Sequence, residues 1–377
     1  MSARSHPTST RPADALMAHF DAARYVRVEP AVLQPARVFL DLSGEDIRGR
    51  MYLTADAGGA DMCLRPEYTI PVCRDYLASP KAGKPAALSY CGPVFRHRPG
   101  QPGEFIQAGL ESFGRADPDA ADAEILSLAL EAAEAAGAGP VKVKLGDVGL
   151  FVALLGQLDL PQAFQRKLRR GFGQGQALTA LADDGAGAAA TDHSGVLAAL
   201  AGADKGGARA LVSDLLSIAG ISSVGGRTTG EIAERFLEQS AARASGGAPA
   251  ETRALIARYL AVKGDPDMAA TRLRVLADDA KLDLDAAIDA LEMRTGYMAA
   301  RGLDVSQFEF STAFGRSLDY YTGFVFEAHD PARADGRPLI GGGRYDGLLK
   351  VLGAPAAIPA VGAAIWVERL GNSEAAQ

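Results

Sequence analysis

The sequence has no long apolar segment and no excess of basic residues. No apolar run reaches the roughly 18–20 residues that a membrane-spanning helix requires. The formal net charge is −7, whereas phosphate binding usually depends on a basic patch. The sequence therefore predicts neither a membrane nor a nucleic acid as a partner.

Cysteine and histidine are also scarce. The three cysteines, Cys63, Cys73 and Cys91, form no CxxC pair, and the five histidines are scattered, so no metal site and no cofactor are predicted. Reduced thiols of this kind are typical of a cytoplasmic protein. The segment 1–12 is rich in Ser, Thr, Pro and Arg without an apolar centre, which indicates a disordered lead-in rather than a secretory signal.

The chain does contain enough apolar residues for a large core. Its 377 residues are 48% hydrophobic, and this length allows two domains. Strand-like alternation occurs in 13–148 and 302–372, whereas 149–301 is rich in Ala, Leu, Gly and Asp and poor in aromatics. The predicted fold class is α+β, an antiparallel sheet flanked by helices in 13–148 and 302–372 and interrupted by an all-α insertion in 149–301.

Residue periodicity and turn residues predict the individual elements. Helices are expected at Pro12–Ala23, Thr69–Leu77, Asp119–Ala136, Leu150–Leu158, Pro161–Arg169, Gly207–Ala219, Thr229–Ala244, Glu251–Lys263, Asp283–Ala299 and Tyr345–Leu352. Strands are expected at Tyr25–Glu29, Arg50–Thr54, Asp61–Arg65, Ala86–Cys91, Val141–Leu145, Phe308–Ser311, Thr322–Ala328, Pro338–Ile340 and Ala360–Trp366. The stretch 30–44 is expected to be a long connection.

The stretch Tyr90–Gly114 predicts two strands joined by a loop rich in glycine and proline. In the returning strand, Gly109 leaves bare backbone between an amide and a carboxylate whose Cα atoms are roughly 13 Å apart. A small zwitterion could lie there, with Arg96 entering from the neighbouring strand, but an ordinary hairpin with polar surface residues fits the spacing equally well. The residues that share this face are Phe105, Gln107, Gly109, Glu111 and Phe113.

The same stretch resembles a motif of a known family. Phe95-Arg96, followed by a turn and F-x-Q-x-G-x-E-x-F-G, is similar to motif 2 of histidyl-tRNA synthetase, a class II aminoacyl-tRNA synthetase. The tail, Pro359–Leu370, resembles motif 3. Three further stretches agree in order, namely Leu64–Thr69 (LRPEYT), Arg316–Tyr321 (RSLDYY) and Gly341–Leu348 (GGGRYDGL). The resemblance implies a class II synthetase-like core; the triple glycine lacks the GxxxxGK[ST] pattern of a phosphate loop.

This resemblance implies a site for a free amino acid. Glu67 and Thr69 would hold its ammonium group and Arg96 its carboxylate side, with Arg316 near the carboxylate. A carboxylate such as Glu111 suits an imidazole N–H. The implied histidine-binding set also includes Tyr68, Gln107, Tyr320 and Tyr321. The alternatives are that the two glutamates are solvated and that the paired tyrosines pack in a core.

The part of the site that would bind ATP departs from the synthetase pattern. Arg98 stands where motif 2 of the family carries an adenine-reading glutamate, and Glu104 places an acid where the family carries basic residues, which would repel a polyphosphate. Trp366 replaces a small glycine of motif 3 and is expected to fill the space of the adenine, unless it turns into the core. Arg369, the arginine of motif 3, is retained. The resemblance therefore implies a degenerate ATP site.

Only seven residues follow Leu370, so the anticodon-binding domain of the synthetases is expected to be missing. An amino-acid pocket beside a degenerate ATP site resembles the regulatory subunits of ATP phosphoribosyltransferase, and Val32–Asp46 is also similar to that family. This resemblance implies no catalytic residues, a short-form catalytic subunit as partner and L-histidine as allosteric feedback ligand of the first step of histidine biosynthesis. It also implies a homodimer of the core within a hetero-oligomer.

Two other functions fit parts of the pattern. A stand-alone enzyme that adenylates histidine or a related amino acid would form AMP and pyrophosphate from ATP, and the retained Arg316 keeps this alternative open. A scaffold module without a small-molecule ligand would not bind histidine at all.

Overall fold

The structure is a computed structural model that describes residues 11–42, 47–173, 248–316, 318 and 320–370, together with a few residues between 210 and 228. The strands are β1 (Val26–Arg27), β2 (Leu33–Pro35), β3 (Leu53–Ala55), β4 (Asp61–Leu64), β5 (Ala86–Phe95), β6 (Glu104–Phe113), β7 (Lys142–Asp147), β8 (Ser223–Val224), β9 (Arg227–Thr228), β10 (Lys263–Gly264), β11 (Glu309–Ser311), β12 (Phe324–His329), β13 (Ile340–Arg344) and β14 (Ala360–Trp366).

The helices surround the strands in chain order. They are α1 (Arg11–Ala22), α2 (Ala36–Leu42), α3 (Thr69–Ala78), α4 (Pro118–Ala135), α5 (Val148–Gly156), α6 (Gln162–Gly173), α7 (Ala250–Leu260), α8 (Pro266–Ala280), α9 (Asp285–Ala300) and α10 (Leu348–Val351). Within the described ranges, no helix is both long and apolar enough to cross a membrane.

A large sheet forms the centre of the molecule. Its nine described strands lie in the order β1–β5–β6–β14–β13–β12–β7–β11–β10. All neighbours are antiparallel except β1 with β5 and β7 with β11, which are parallel. A second sheet contains β2, β4 and β3. The antiparallel sheet with flanking helices agrees with the α+β fold predicted from the sequence.

The two faces of the large sheet bury different side chains, because successive residues of a strand point to opposite faces. Leu110 belongs to a core shared with α1, α4 and α9, whereas the neighbouring Glu111 bonds to Thr69 and Tyr345 on the other side. That second face carries a smaller core with α3 and α10. The candidate site lies on this second face.

The hairpin predicted in 90–114 is present, and β6 is paired on both sides. Gly109 of β6 lies opposite Tyr90 of β5 on one side and opposite Ala364 of β14 on the other. The paired residues of neighbouring strands share a face. The face predicted for Gln107, Gly109 and Glu111 therefore continues into the strand that holds Trp366.

Three predictions of local structure were wrong. The stretch 30–44 contains β2 and α2, the strand predicted at Pro338–Ile340 runs instead through the glycines of β13, and α8 was not predicted. Glycine is rare in strands, which explains the second error. In β13, Gly342 packs under Phe326, where an added Cβ would overlap the ring and the backbone oxygen of Gly362.

The segment 149–301 is not purely helical, contrary to prediction. β8 and β9 form a two-residue ladder, and β10 pairs with β11 in the large sheet. Strands of two residues are too short to show an alternating pattern. The helices α5 to α9 contribute to the same core as the sheet, and the domain limits at 149 and 301 stay a prediction.

The segments outside the described residues include some of the predicted elements. The lead-in 1–12 is described only at Arg11 and Pro12, which already belong to α1. The helices predicted at Gly207–Ala219 and Thr229–Ala244 lie almost entirely outside the described residues.

Candidate functional site

A cavity of about 570 Å³ opens on the second face of the sheet. Its floor is formed by β6, β14, β13 and β12, and its sides by the start of α3 and by the loops after β5 and before β12. The predicted site residues that line it are Glu67, Thr69, Arg96, Arg98, Gln107, Arg316, Tyr320, Tyr321, Trp366 and Arg369. Tyr68, Glu104 and Glu111 are not among the residues in its wall.

Small residues keep the floor of the cavity low. Gly341, Gly362 and Ala364 lie on the cavity side of β13 and β14. An added Cβ at Gly341 would overlap the guanidinium of Arg316, and one at Gly362 would overlap the carboxylate of Glu111. These glycines are therefore required for two predicted site residues to lie flat against the sheet.

Glu67 and Thr69 lie at one end of the cavity, where α3 begins. The Glu67 carboxylate accepts the backbone N–H of Thr69 at 2.7 Å and of Ile70 at 2.9 Å, which satisfies two of the unpaired donors of the first turn. Pro71 fits there because the first turn needs no donor at that position. Burial raises the pKa of Glu67, against the lowering effects of the helix N–H groups and Arg96.

The arginines Arg96 and Arg316 line other parts of the wall. Arg96 Nε donates to the carbonyl of Pro66 at 2.6 Å, so it is tied to the segment that carries Glu67. Arg316 Nη1 donates to the carbonyl of Phe326 at 3.0 Å, and its buried Nε has no partner among the described residues. Both cations are thus fixed by backbone oxygens while remaining in the cavity wall.

Gln107 brings an unsatisfied polar group to the cavity. It is 2% exposed, and its Oε1 has no hydrogen-bond partner in the described part of the chain. Gln107 itself lies in the cavity wall. Buried polar atoms without a partner cost free energy, so this part of the cavity favours a polar ligand.

The patch of bare backbone predicted at Gly109 is not open. An added Cβ at Gly109 would meet the hydroxyl of Tyr90 and the carbonyl of Ala363. Tyr90 lies opposite Gly109 in the neighbouring strand and stacks on Tyr68, with ring centroids 4.3 Å apart. Gly109 therefore makes room for a tyrosine of the same protein, and Tyr68 supports that ring from behind.

Glu111 lies beneath the cavity rather than in its wall. Its carboxylate accepts hydrogen bonds from Thr69 Oγ1 at 2.8 Å and from the hydroxyl of Tyr345. It is 1% exposed, and burial raises its pKa to about 8. Both partners of Glu111 line the cavity, and the imidazole contact expected for Glu111 stays a prediction.

The tyrosines form one side of the cavity. Tyr320 and Tyr321 lie with ring centroids 5.0 Å apart, and Tyr345 meets Tyr320 edge to face at 5.7 Å. Burial raises the pKa of each, so all three hydroxyls stay protonated near neutrality. They belong both to the smaller core and to the cavity wall. Packing in a core and lining a ligand site are therefore compatible for Tyr320 and Tyr321.

The groups predicted around a degenerate ATP site are engaged with one another. Arg98 Nη1 lies 2.6 Å from Glu368 Oε1, and its guanidinium carbon lies 4.1 Å from the centre of the Phe105 ring. Arg369 lies over the ring of Trp366 at 4.6 Å and donates to the carbonyl of Pro338. Burial lowers the pKa of Arg369 to about 10.

Trp366 and Glu104 differ in their relation to the cavity. Trp366 is 7% exposed, lies opposite Gln107 and lines the cavity, so its indole is in the wall while also packing in the smaller core. Glu104 is exposed at the start of β6 and lies outside the wall, and the repulsion expected from it stays a prediction.

Several residues of the wall were not predicted, among them Tyr345 and Glu327. Tyr345 follows the glycine strand, and its phenol approaches Glu111 only because β13 and β6 are separated by a single strand. Glu327 lies on β12 opposite Gly341 and is 3.7 Å from Arg316. The GRYDG stretch could have indicated Tyr345, whereas nothing local in the sequence marks Glu327.

Sequence comparison connects this geometry to known proteins. The family model described as histidyl-tRNA synthetase matches residues 7–224 and 207–370. The chain is 41% identical over 361 residues to proteins of Brucella ovis and Brucella abortus, covering 95% of each chain, and both are named ATP phosphoribosyltransferase regulatory subunit.

Solved structures share the fold. A protein from Bacillus halodurans, titled an ATP phosphoribosyltransferase regulatory subunit/histidyl-tRNA synthetase, has a TM-score of 0.67 at 22% identity, with 97% of this chain and 80% of that chain covered. A histidine–tRNA ligase subunit from Alicyclobacillus acidocaldarius has a TM-score of 0.57 at 26% identity, with 98% of this chain and 96% of that chain covered.

Proposed function

Because the chain belongs to the family of ATP phosphoribosyltransferase regulatory subunits, which is built on the histidyl-tRNA synthetase fold, we propose that its cavity binds L-histidine. In this proposal the chain is a non-catalytic partner of a short-form catalytic subunit, which needs it for activity. Occupation of the cavity by histidine then inhibits the first step of histidine biosynthesis.

The observation that carries this proposal is the distribution of polar groups around the cavity. A carboxylate, Glu67, and a hydroxyl, Thr69, lie at the start of α3, and the cations Arg96 and Arg316 lie in the same wall. A free amino acid needs an acceptor for its ammonium group and a cation for its carboxylate. Gln107 Oε1, unpaired among the described residues, supplies an acceptor for a ligand N–H.

Burial of Glu67 also supports a cationic group beside it. Burial raises the pKa of this carboxylate, because the charged form has lost its water. An ammonium group in the cavity would restore a favourable partner for the ionised carboxylate. The two carboxylate oxygens accept one backbone N–H each and keep further acceptor capacity.

The ATP part of the site supports a regulatory rather than an adenylating role. Arg98 is paired with Glu368, and Trp366 forms part of the wall. A triphosphate would have to break the Arg98–Glu368 pair, and an adenine would compete with the indole. We infer that histidine binds here without being activated.

Regulation requires that histidine prefers one arrangement of the assembly over another. A coupling free energy of about 1–3 kcal/mol between the cavity and the catalytic partner is sufficient for useful inhibition. The proposal includes a homodimer of the core within a larger hetero-oligomer, as the family resemblance implies.

The test of the site is a calorimetric titration with L-histidine. The variant Glu67→Gln is expected to bind histidine at least about tenfold more weakly, because a hydrogen bond to a charged group is worth roughly 1.5–3 kcal/mol. Glu104→Gln is the matched control, since Glu104 is an exposed carboxylate outside the cavity wall. Equal affinity in both variants would contradict the site, and no binding by the unmodified chain would favour the scaffold alternative.

A further inference from the structure

Three charged side chains form a row at the edge of the cavity. Arg316 Nη1 lies 3.7 Å from Glu327 Oε1, and Glu327 Oε2 lies 3.0 Å from His329 Nε2. Arg316 and Glu327 line the cavity, and His329 does not. The histidine is therefore separated from a ligand-facing arginine by one shared carboxylate.

Both ring nitrogens of His329 face hydrogen-bond acceptors. Nε2 faces the Glu327 carboxylate at 3.0 Å, and Nδ1 faces the carbonyl of Gly336 at 3.1 Å. A neutral imidazole has a single N–H, so one of these contacts would then bring two acceptors together. Only the imidazolium form donates to both, and this form also carries the charge that Glu327 attracts.

Other charged groups surround the row. On the neighbouring strand β7, Lys142 lies opposite His329 and Lys144 lies opposite Glu327, and both lysines are exposed. On the other side, β13 is uncharged from 340 to 343. The loop after β12 carries Asp330, Arg333, Asp335 and Arg337, of which Arg333 pairs with Asp335 and Arg337 donates to Gln101.

Burial separates Glu327 from the solvent-exposed charges. The exposed fractions of the Arg316, Glu327 and His329 side chains are 11%, 20% and 19%, so charges within the row are screened less than those of the two lysines. Burial alone would raise the pKa of Glu327, but Arg316 and His329 outweigh it and lower the pKa. Glu327 is therefore an anion that both cations share.

We propose that His329 is a positioning residue that sets, through Glu327, how strongly Arg316 binds the carboxylate of the ligand. This inference rests on the proposed function, which places the amino-acid carboxylate near Arg316. When His329 is charged, Glu327 is divided between two cations and the row carries a net positive charge. When His329 is neutral, Glu327 pairs with Arg316 alone and the row carries no net charge. Arg316 then attracts the carboxylate of a ligand less strongly.

The sign of the pH dependence follows from this arrangement. Histidine side chains change charge between about pH 5 and 8. With a proton on His329 the row is positive, and carboxylate binding is favoured. Without a proton on His329, the Glu327 carboxylate competes with the ligand for Arg316. The affinity for an amino acid therefore falls with rising pH.

The test compares histidine affinity at pH 6 and pH 8 by calorimetry in the full chain, in His329→Gln and in His19→Gln. His19 is the matched control, because it forms a similar pair with Glu131 at 3.3 Å on α1, away from the cavity wall. The ligand imidazole and Glu111 titrate in all three proteins, so only differences between proteins count. The unmodified chain and His19→Gln are expected to lose about fivefold more affinity than His329→Gln.

Two further measurements isolate the carboxylate. Histamine has the ring and the ammonium group of histidine but no carboxylate, so its affinity should show no His329-dependent difference between the two pH values. Glu327→Gln removes the link between His329 and Arg316. This variant should therefore lose less histidine affinity between pH 6 and pH 8 than the unmodified chain does. The measurement does not depend on whether His329→Gln folds well.

The outcomes separate the inference from the function on which it rests. If the unmodified chain binds histidine but shows the same pH dependence as both His329→Gln and Glu327→Gln, the inference is overturned. A His329-dependent effect of equal size with histamine would also overturn it, because the effect would not act through the carboxylate. If the unmodified chain does not bind histidine at either pH, the proposed function fails and the inference falls with it.

Discussion

At the scale of single residues, Glu111 shows how the fold controls a proton under the cavity. It is held by Thr69 and Tyr345 and is almost fully buried. Burial raises its pKa to about 8, so the carboxyl is protonated over much of the neutral range. A protonated carboxyl can donate one hydrogen bond as well as accept, and this would orient the hydroxyls of Thr69 and Tyr345 in the cavity wall.

This raised pKa predicts a change of stability with pH. The unfolded chain releases the proton of a glutamate near pH 4.3, whereas folded Glu111 keeps it up to about pH 8. Its contribution to the free energy of unfolding is therefore complete below about pH 4 and is lost as the pH rises toward 8. Glu111→Gln cannot titrate and should lose less stability between pH 5 and 8, by on the order of 2–4 kcal/mol.

Urea unfolding at the two pH values measures this difference. Gln preserves the shape and can still bond to Thr69 or Tyr345, so the variant should fold. A variant that loses as much stability as the unmodified chain between pH 5 and 8 would show that Glu111 does not retain its proton.

Trp366 gives a second prediction at this scale. Trp366→Gly enlarges the cavity beside Gln107 but leaves Arg98 paired with Glu368. Under the proposed function this pair stands in the way of a triphosphate, so we expect no formation of AMP from ATP and histidine. A sensitive assay of AMP release decides this, with a true histidyl-tRNA synthetase as the positive control; measurable AMP would revive the adenylating alternative.

At the scale of elements, a buried ionic network joins the strands of the site to the helices behind them. Arg294 on α9 bonds to Asp122 at 2.8 Å and to Asp147 at 2.9 Å. Arg344, at the end of β13, bonds to the same Asp122 at 2.6 Å and to Asp346 at 2.8 Å. Because Tyr345 lies between Arg344 and Asp346 in the chain, this network fixes one wall of the cavity from behind.

Removing one arginine of this network should be strongly destabilising. Arg294→Met leaves Asp122 and Asp147 buried with less compensation, which costs about 3–5 kcal/mol of unfolding free energy. The control is Arg274→Met, because Arg274 has a similar number of acidic partners, Asp285, Asp289 and Glu292, but lies at the surface. Exposed ion pairs contribute little to stability, so Arg274→Met is expected to lose much less than Arg294→Met. Equal losses in the two variants, measured by urea unfolding, would contradict the role given to burial.

The elements differ in how far the sequence could predict them. The hairpin of β5 and β6 was predicted because its alternation and its loop are both local signals, and α4 because its composition is strongly helical. The strand β13 was misplaced because its glycines are selected by Arg316 and Phe326, which approach from other parts of the chain. Such tertiary requirements leave no periodic signal in the strand itself.

The order of the motifs in the sequence indicated which residues belong to the candidate site. It did not indicate positions that depend on how side chains pack. Glu67, Thr69 and Arg96, which come from separate motifs, lie together in the cavity wall, and their contacts with a ligand stay a prediction. The position of Glu111 beneath the wall depends on Tyr345 and Gly362, of which Tyr345 is 234 residues away in the sequence and Gly362 still farther. Whether a predicted residue touches the ligand or supports one that does cannot be read from a motif alone.

At the scale of the whole molecule, the large sheet joins distant parts of the chain into one frame for the cavity. β6 lies beside β14, although about 250 residues separate them in the sequence. The match to regulatory subunits extends over 95% of the chain, so family membership does not rest on the site motifs alone.

The central claim is that histidine in the cavity controls a catalytic partner, and one rate measurement tests it most directly. The condensation of ATP with phosphoribosyl pyrophosphate by a short-form catalytic subunit from the same organism is measured alone, with this chain, and with this chain plus histidine. We predict that the rate rises when the chain is added and falls again with histidine, and that Glu67→Gln needs at least about tenfold more histidine for the same inhibition. A catalytic subunit whose rate does not respond to the chain would contradict the account.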